Sequence, residues 1–456
     1  MGWDLALAFA LLSVSLLIAS ILRARLRFLQ RFLIPNAITA GFVGLGLMYL
    51  LEWAFPQIMP KREYLGNIVY HLLAVTFISI GLKRRERYIS KNSLSTAFHL
   101  SLGYAVEGFV GYSITLAFLF TVMPDIFPTF GMLFEMGFGQ SSGQAYALGK
   151  QWESFGFING GTVGLTFGAI GFLWACFVGV PLLNWGIKKG YVKGLDRRLM
   201  ENTGFLGRLQ KKPAGGRSTT HPDVIASGTF HVAFIGFVYL VDYFFIKFVV
   251  FLLGKLGGTF AVQFGNLLWA YHAFFATLLS LLAGRILRAI KLDHILDDDM
   301  LTGISASSVD FLVTAAIMAI ELAFVVQYIV PIAVICVVGG VLVIILVLYL
   351  ARRSFDDYFF ERVISIFGLL TGTVSTGLAL LRVIDPEYKT PAASDLVLGS
   401  GFSLFLAFPL LFLINIPALH QTTKIYLLTD GGIFGYIVIL FAVMYALKIL
   451  GKKRVM

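Results

Sequence analysis

The sequence predicts an all-α polytopic membrane protein of about eleven transmembrane helices, built as two inverted-topology five-helix repeats. Each repeat carries a re-entrant hairpin, and an extra C-terminal helix follows. Three observations predict this: a composition poor in charge, a regular alternation of basic loops, and a glycine-rich pattern that recurs in each half. Of the 456 residues, 58% are apolar types and 13% are charged, against roughly 25% charged in soluble domains. So little charge cannot coat a globule of this size in water. It can coat one whose outer belt faces lipid, and the 43 Phe residues suit such a belt.

A spanning helix needs about 20 mostly apolar residues. Runs of this kind fall at 2–22, 33–51, 66–82, 97–123, 161–185, 226–253, 259–283, 302–320, 323–350, 397–415 and 431–449. The first has its basic residues after it, whereas a signal peptide has them before. It reads as a retained span.

Basic residues cluster after every odd-numbered run. Arg23, Arg25, Arg27 and Arg31 follow the first, and Lys83, Arg84, Arg85, Arg87 and Lys91 follow the third. A basic stretch within 186–224 follows the fifth, and Arg285, Arg288 and Lys291 follow the seventh. Arg352, Arg353 and Arg362 come after the ninth, and Lys448, Lys452, Lys453 and Arg454 close the chain. The loops between hold only Lys61, Arg62, Lys255 and Lys424, with Lys150 in the segment before the fifth run. Since Lys and Arg collect on the cytoplasmic side, the N-terminus is expected outside and the C-terminus in the cytoplasm, in the cell inner (plasma) membrane. This bias also accounts for the net charge of +11. No basic run is interleaved with aromatics as a single-strand binder requires, so no nucleic-acid partner is expected. Cys176 and Cys336 lie in apolar runs and read as small core residues, with no disulfide framework or metal signature.

Residues 186–224 read as a flexible cytoplasmic linker, with Pro213, Gly215, Gly216, Ser218 and Pro222. It separates an N-terminal repeat, 1–185, from a C-terminal repeat, 225–416. Residues 417–456 add the extra span and a cytoplasmic tail. Five spans precede the linker, so the second half enters the membrane in the opposite sense, a recurrent transporter plan. Phe138-Gly139-Gln140-Ser141-Ser142-Gly143 in the first half matches Phe367-Gly368-Leu369-Leu370-Thr371-Gly372 in the second. Each pattern precedes a Gly-rich span bearing Pro181 or Pro409. The segments around them, about 131–150 and 363–382, are too rich in Gly, Ser and Thr for ordinary spans. If each crossed fully, the basic alternation would fail, so both are expected to be re-entrant hairpins. Irregular backbone at membrane depth survives only inside protein or along a wet cavity. There its free carbonyls and helix ends can bind ions or anionic groups.

At these hairpins the chain resembles the bacterial sodium/glutamate symporters. The resemblance runs over about residues 30–415. It rests on Ile34-Pro35 with Ala40-Gly41, on Thr76 to Leu82, on Phe155-Gly156-Phe157-Ile158-Asn159 before the Gly-rich span, on Gly303 to Asp310, and on Phe367 through Thr376 to Ala379. Membership implies a homodimer in which the hairpins meet near mid-membrane around L-glutamate and sodium, and a transport domain moves against a scaffold. The chain departs from the family pattern at Gln140, where a histidine is usual, at Val374-Ser375-Thr376, where Thr-Pro-Thr is usual, and at Arg382, where a neutral residue is usual. Another small anion or amino acid, proton coupling, and a passive channel therefore stay open as alternatives.

The residues expected to carry substrate are Gln140, Ser141, Ser142, Gly143, Gln144, Asn159, Thr371, Gly372, Thr373 and Arg382. Arg382 could grip a carboxylate in bidentate fashion, and Asn159 offers both donor and acceptor. Sodium wants hard oxygens, expected from hairpin carbonyls with Ser142, Thr373, Ser375 and Thr376. Asp310, an acid at membrane depth, is a further candidate for sodium. Glu107, His231 and His272 read as structural polar residues. There is no HExxH, Walker A, Gly-x-Ser-x-Gly or Cys/His cluster. No enzymatic activity and no cofactor beyond the coupling ion are expected.

Overall fold

The structure is a computed structural model and describes residues 3–56, 60–83, 90–192, 216–221, 223–385 and 388–451. Most of the expected linker, 193–215, and the tail 452–456 lie outside the described residues. The chain is helical throughout, with no strand among the described residues. The main helices are α1 Trp3–Arg25, α2 Asn36–Ala54, α3 Arg62–Leu82, α4 Lys91–Thr121, α5 Ser142–Trp152, α6 Gly160–Phe177, α7 Gly179–Lys188, α8 Ser227–Leu256, α9 His272–Ala289, α10 Asp298–Met318, α11 Ile329–Ser354, α12 Phe359–Leu370, α13 Val374–Leu381, α14 Ala392–Leu406, α15 Phe408–Leu413 and α16 Thr423–Ala446. Ten helices among the described residues are long and apolar enough to cross a membrane, or eleven if the bent pair Ala392–Leu406 and Phe408–Leu419 is one span. This is a multi-pass helical membrane protein.

The chain divides into two compact units, and each takes helices from both sides of the linker. The first contains α1–α3 and α8–α10. Its core gathers Ala74, Ile78 and Leu82 of α3 with Ile235, Val238, Ala276 and Leu301. His231 of α8 is satisfied at both ring nitrogens, toward Ser227 O (2.7 Å) and the Asp297 N–H (2.8 Å). His272 lies between the Tyr70 and Trp269 carbonyls. Asp297 caps α10 by accepting the Met300 N–H at 2.9 Å, and that bond is the main reason its carboxyl sits below the ordinary aspartate value.

The second unit contains α4–α7 and α11–α16. Here α4 starts at Lys91, six residues before the apolar run at 97–123. Its polar first turn is helical because Ser90 caps the Ser93 N–H (2.9 Å), while Ser95 and Thr96 satisfy their buried hydroxyls on Lys91 O and Asn92 O. Likewise α16 begins at Thr423 rather than 431, since Ser113 bonds Asp430 at 2.9 Å and lets an acid sit within the helix. The last Gly-rich span bends by 46° between α14 and α15. Pro409 cannot donate to the Phe405 carbonyl, just as Pro181 cannot donate to Phe177, the last residue of α6.

Candidate functional site at two broken helices

Both expected hairpin segments lie in the second unit, and both are broken helices. In the first, a short helix Met132–Phe134 opens into a π-turn over Glu135–Gln140. The backbone is extended at Ser141, and α5 follows. Ser141 Oγ starts α5 by accepting the Gln144 N–H at 3.2 Å. In the second, α12 ends at Leu370, the chain turns through Thr371 and Gly372, and Thr373 Oγ1 lies 3.4 Å from the Thr376 N–H at the start of α13. A Cβ on Gly368 would lie 2.8 Å from Gly377 Cα, so the arms α12 and α13 pack side by side. Every residue of α12 is buried.

The breaks meet on α6. A Cβ on Gly171 would lie 3.0 Å from Phe138 Cα and 3.1 Å from both the Phe138 and Thr371 carbonyl oxygens. Glycine lets both segments come to the same point on the helix, where any side chain would press on both. One turn earlier, Gly168 faces Ser142, whose Cα would lie 2.7 Å from a Cβ there. Around this turn the Phe134 ring meets Phe138 at a tilt (centroids 4.6 Å apart) and Phe167 of α6 edge-on (5.7 Å). The breaks are not in the same register as the repeated pattern. Ser142 opens α5, whereas its counterpart Thr371 follows the end of α12, and the capping hydroxyls are Ser141 and Thr373.

Among the residues read as substrate or sodium ligands, Ser141, Ser142, Gly143, Gln144, Thr371 and Gly372 are buried around these breaks. Ser142 Oγ is buried and has no hydrogen-bond partner. Thr371 Oγ1 bonds back to Phe367 O at 2.9 Å, so its carbonyl rather than its hydroxyl faces α6. Thr373 and Thr376 share a hydroxyl contact of 3.3 Å, and Ser375 is exposed. Gln140 is half-buried, and its amide donates to Glu135 Oε1.

Three expected residues are elsewhere. Asn159 takes a left-handed conformation (φ 54°) at the start of α6, about 18 Å along that helix from Gly171. Arg382 is exposed at the end of α13, about 13 Å from the break by helical rise. Asp310 belongs to the first unit and is exposed on α10.

The buried charges nearest the breaks were not among the expected ligands. Arg362, fully buried in α12, donates to Asp395 Oδ2 from Nε (3.0 Å) and Nη2 (2.8 Å) and to Asp357 Oδ1 from Nη1 (2.9 Å). Ser90 and Ser93 complete Asp395 by donating to Oδ1 at 2.8 and 2.7 Å. Glu107 of α4 and Glu135 of the π-turn are also wholly buried, without such partners. The signal for Glu135 was present in the sequence: an acid inside a segment assigned to membrane depth. Arg362 was obscured by its grouping with the basic residues after the ninth run. Among the described residues no group of three or more His, Cys, Asp or Glu is arranged to hold a metal ion.

Comparison of the chain with protein-family models, with curated proteins and with solved structures gave no match.

Proposed function

We propose that the protein is a secondary active transporter that couples sodium to the uptake of L-glutamate, or a related small organic anion, by alternating access across the cell inner membrane. The observation that carries this reading is the meeting of two broken helices, one from each half of the chain, at Gly171 on α6. Broken helices at matching positions of two halves are how many transporters expose backbone groups to an ion and a substrate. The division of helices supports the same plan, since each unit takes corresponding spans from the two sides of the linker. In this reading each broken segment is a re-entrant hairpin, the halves are inverted repeats, and the unit bearing the hairpins is the moving part of a homodimer. In the same reading the basic loops face the cytoplasm, with the N-terminus outside and the C-terminus inside.

The chemistry follows from the groups at the breaks. With Arg382 exposed at the far end of α13, a substrate carboxylate would be received by the free N–H groups opening α5 and α13, where helix dipoles favour negative charge. Sodium would take the Ser142 hydroxyl, which has no protein partner, together with carbonyls such as that of Thr371. The test is uptake of labelled L-glutamate into proteoliposomes with and without an inward sodium gradient. Concentrative, sodium-dependent uptake is the expected result. Saturable uptake driven by a pH gradient alone would replace sodium with protons, and flux that never exceeds equilibrium would replace the transporter with a channel.

A further inference from the structure

The π-turn of the first broken segment has a consequence for charge. In an α-helix, residues five apart point about 140° away from each other. The wider π-turn instead lets residue i meet i+5. Gln140 thereby reaches Glu135 and donates its amide to Oε1. α4 crosses the same turn. A Cβ on Gly139 would lie 2.1 Å from Glu107 Oε2, and a Cβ on Gly108 would lie 3.8 Å from Glu135 Cβ. Two carboxyl groups therefore share the crossing of α4 and the π-turn. Both side chains are fully buried. Glu107 Oε1, Glu107 Oε2 and Glu135 Oε2 have no hydrogen-bond donor.

Among the described residues, nothing around the pair supplies positive charge, and the basic residues of α11, Arg352 and Arg353, lie in its last turn. From α4 the neighbouring ionisable group is Tyr104, which bonds Ser403 of α14, and from α16 it is Tyr436. Both are phenols, uncharged near neutral pH. α6 contains no charged residue. Lys150 of α5 is paired with Glu153 at 2.7 Å. Arg362 of α12 is committed to Asp395 and Asp357, and Asp395 is the only charged residue of α14. On α16, Lys424 lies in the first turn, and Asp430 accepts from Ser113. Two ionised carboxylates without a counter-charge cannot persist in such an environment, so a cation must enter or a proton must stay.

We propose that Glu107 and Glu135 form a proton-binding site behind the first broken segment, with one proton for the two carboxyl groups. The donor set assigns the places. Glu135 keeps an amide donor and is the anionic partner, whereas Glu107 has none and carries the proton. A proton needs no cavity, and Glu107 Oε2 is packed on Gly139 with less room than a methyl group would need. Sodium would need a shell of oxygens around a void. The site's use as a coupling site rests on the transporter reading above; its occupancy by a proton does not.

The test is infrared difference spectroscopy of the full-length protein in lipid nanodiscs, comparing neutral with alkaline buffer, for wild type, Glu107→Gln and Glu135→Gln. Wild type should show the C=O band of a buried carboxylic acid at neutral pH. Glu107→Gln should lose that band. Glu135→Gln should keep it at a shifted frequency, since a negative charge near the Glu107 acid has been replaced by a neutral amide. That shift carries the test alone if Glu107→Gln does not fold. A wild-type band left unchanged by both substitutions, or no such band at all, would overturn the proposal. So would a band that disappears when sodium is added at constant pH, which would make this a sodium site. A band that behaves as expected in protein without glutamate uptake would keep the proton site and remove glutamate as the substrate. Sodium-driven uptake without the band would do the reverse.

Discussion

The two broken segments treat buried charge in opposite ways. At the base of the second, Arg362 is wholly buried, yet every face of its guanidinium that bears N–H groups meets Asp395 or Asp357, and Phe355 lies 4.9 Å from its plane centre. Asp395 is completed by two serine hydroxyls from the start of α4. At the first, Glu107 and Glu135 have one donor between them, the Gln140 amide. The first arrangement locks α4, α12 and α14 together and has a fixed charge state. The second has a charge state that depends on what binds. Burial alone therefore does not separate a structural charge from a functional one. The count of satisfied lone pairs does.

Removing one partner from each arrangement gives the largest contrast. Arg362→Ala leaves the Asp395 carboxylate buried and uncompensated, a loss worth about 3–5 kcal/mol. Thermal unfolding in detergent, followed by size-exclusion, should show a greatly lowered Tm or aggregated protein. Glu107→Gln removes a buried carboxyl that has no hydrogen-bonded partner to strand, so its Tm should fall far less than that of Arg362→Ala. Equal losses for the two variants would erase the distinction drawn between the segments.

A smaller effect is expected where the segments meet. Gly171→Val forces a branched side chain between Phe138 and the Thr371 carbonyl, and overpacking of this kind costs about 1–3 kcal/mol. The protein should still fold, because α6 has many other buried residues. Uptake should nevertheless fall by at least about tenfold, the scale of 1.4 kcal/mol lost at the transport step. Gly164→Val, two turns earlier on the same face of the helix and against the Ala145 backbone, tests the position. It should lower stability at least as much without separating the two breaks.

These contrasts also show what could be read from sequence. The membrane class, the spans and the two unusual segments were legible, because composition and glycine content are local. Helix ends set by hydrogen bonds were not. The apolar run at 97–123 leaves out Lys91 to Thr96, whose place in the helix depends on Ser90, Ser95 and Thr96 bonding to their own helix. The partition into units was also hidden, since it depends on which spans pack, and packing crosses the linker. Side-chain roles were least legible of all. Arg382 and Arg362 are both arginines near the second segment, and sequence favoured the exposed one. The pairing of Arg362 with Asp395 is set by the way α14 returns beside α12.

The smallest expected effects come from the hydroxyl groups and from Arg382, and they test the site most finely. Thr371→Val removes a hydroxyl already bonded to Phe367 O and keeps the carbonyl that faces Gly171. Ser142→Ala removes a buried hydroxyl that has no partner in the protein, so no donor or acceptor is left stranded. If that hydroxyl serves sodium, Ser142→Ala should raise the sodium concentration for half-maximal uptake several-fold, with glutamate affinity at saturating sodium unchanged. Thr371→Val should leave both nearly as they are. Arg382→Ala should change neither, because its side chain is exposed at the far end of α13. A large loss of glutamate affinity in Arg382→Ala would move the anion site from the helix starts at the breaks to the end of the second hairpin. The functional difference between the two segments would then need a new explanation.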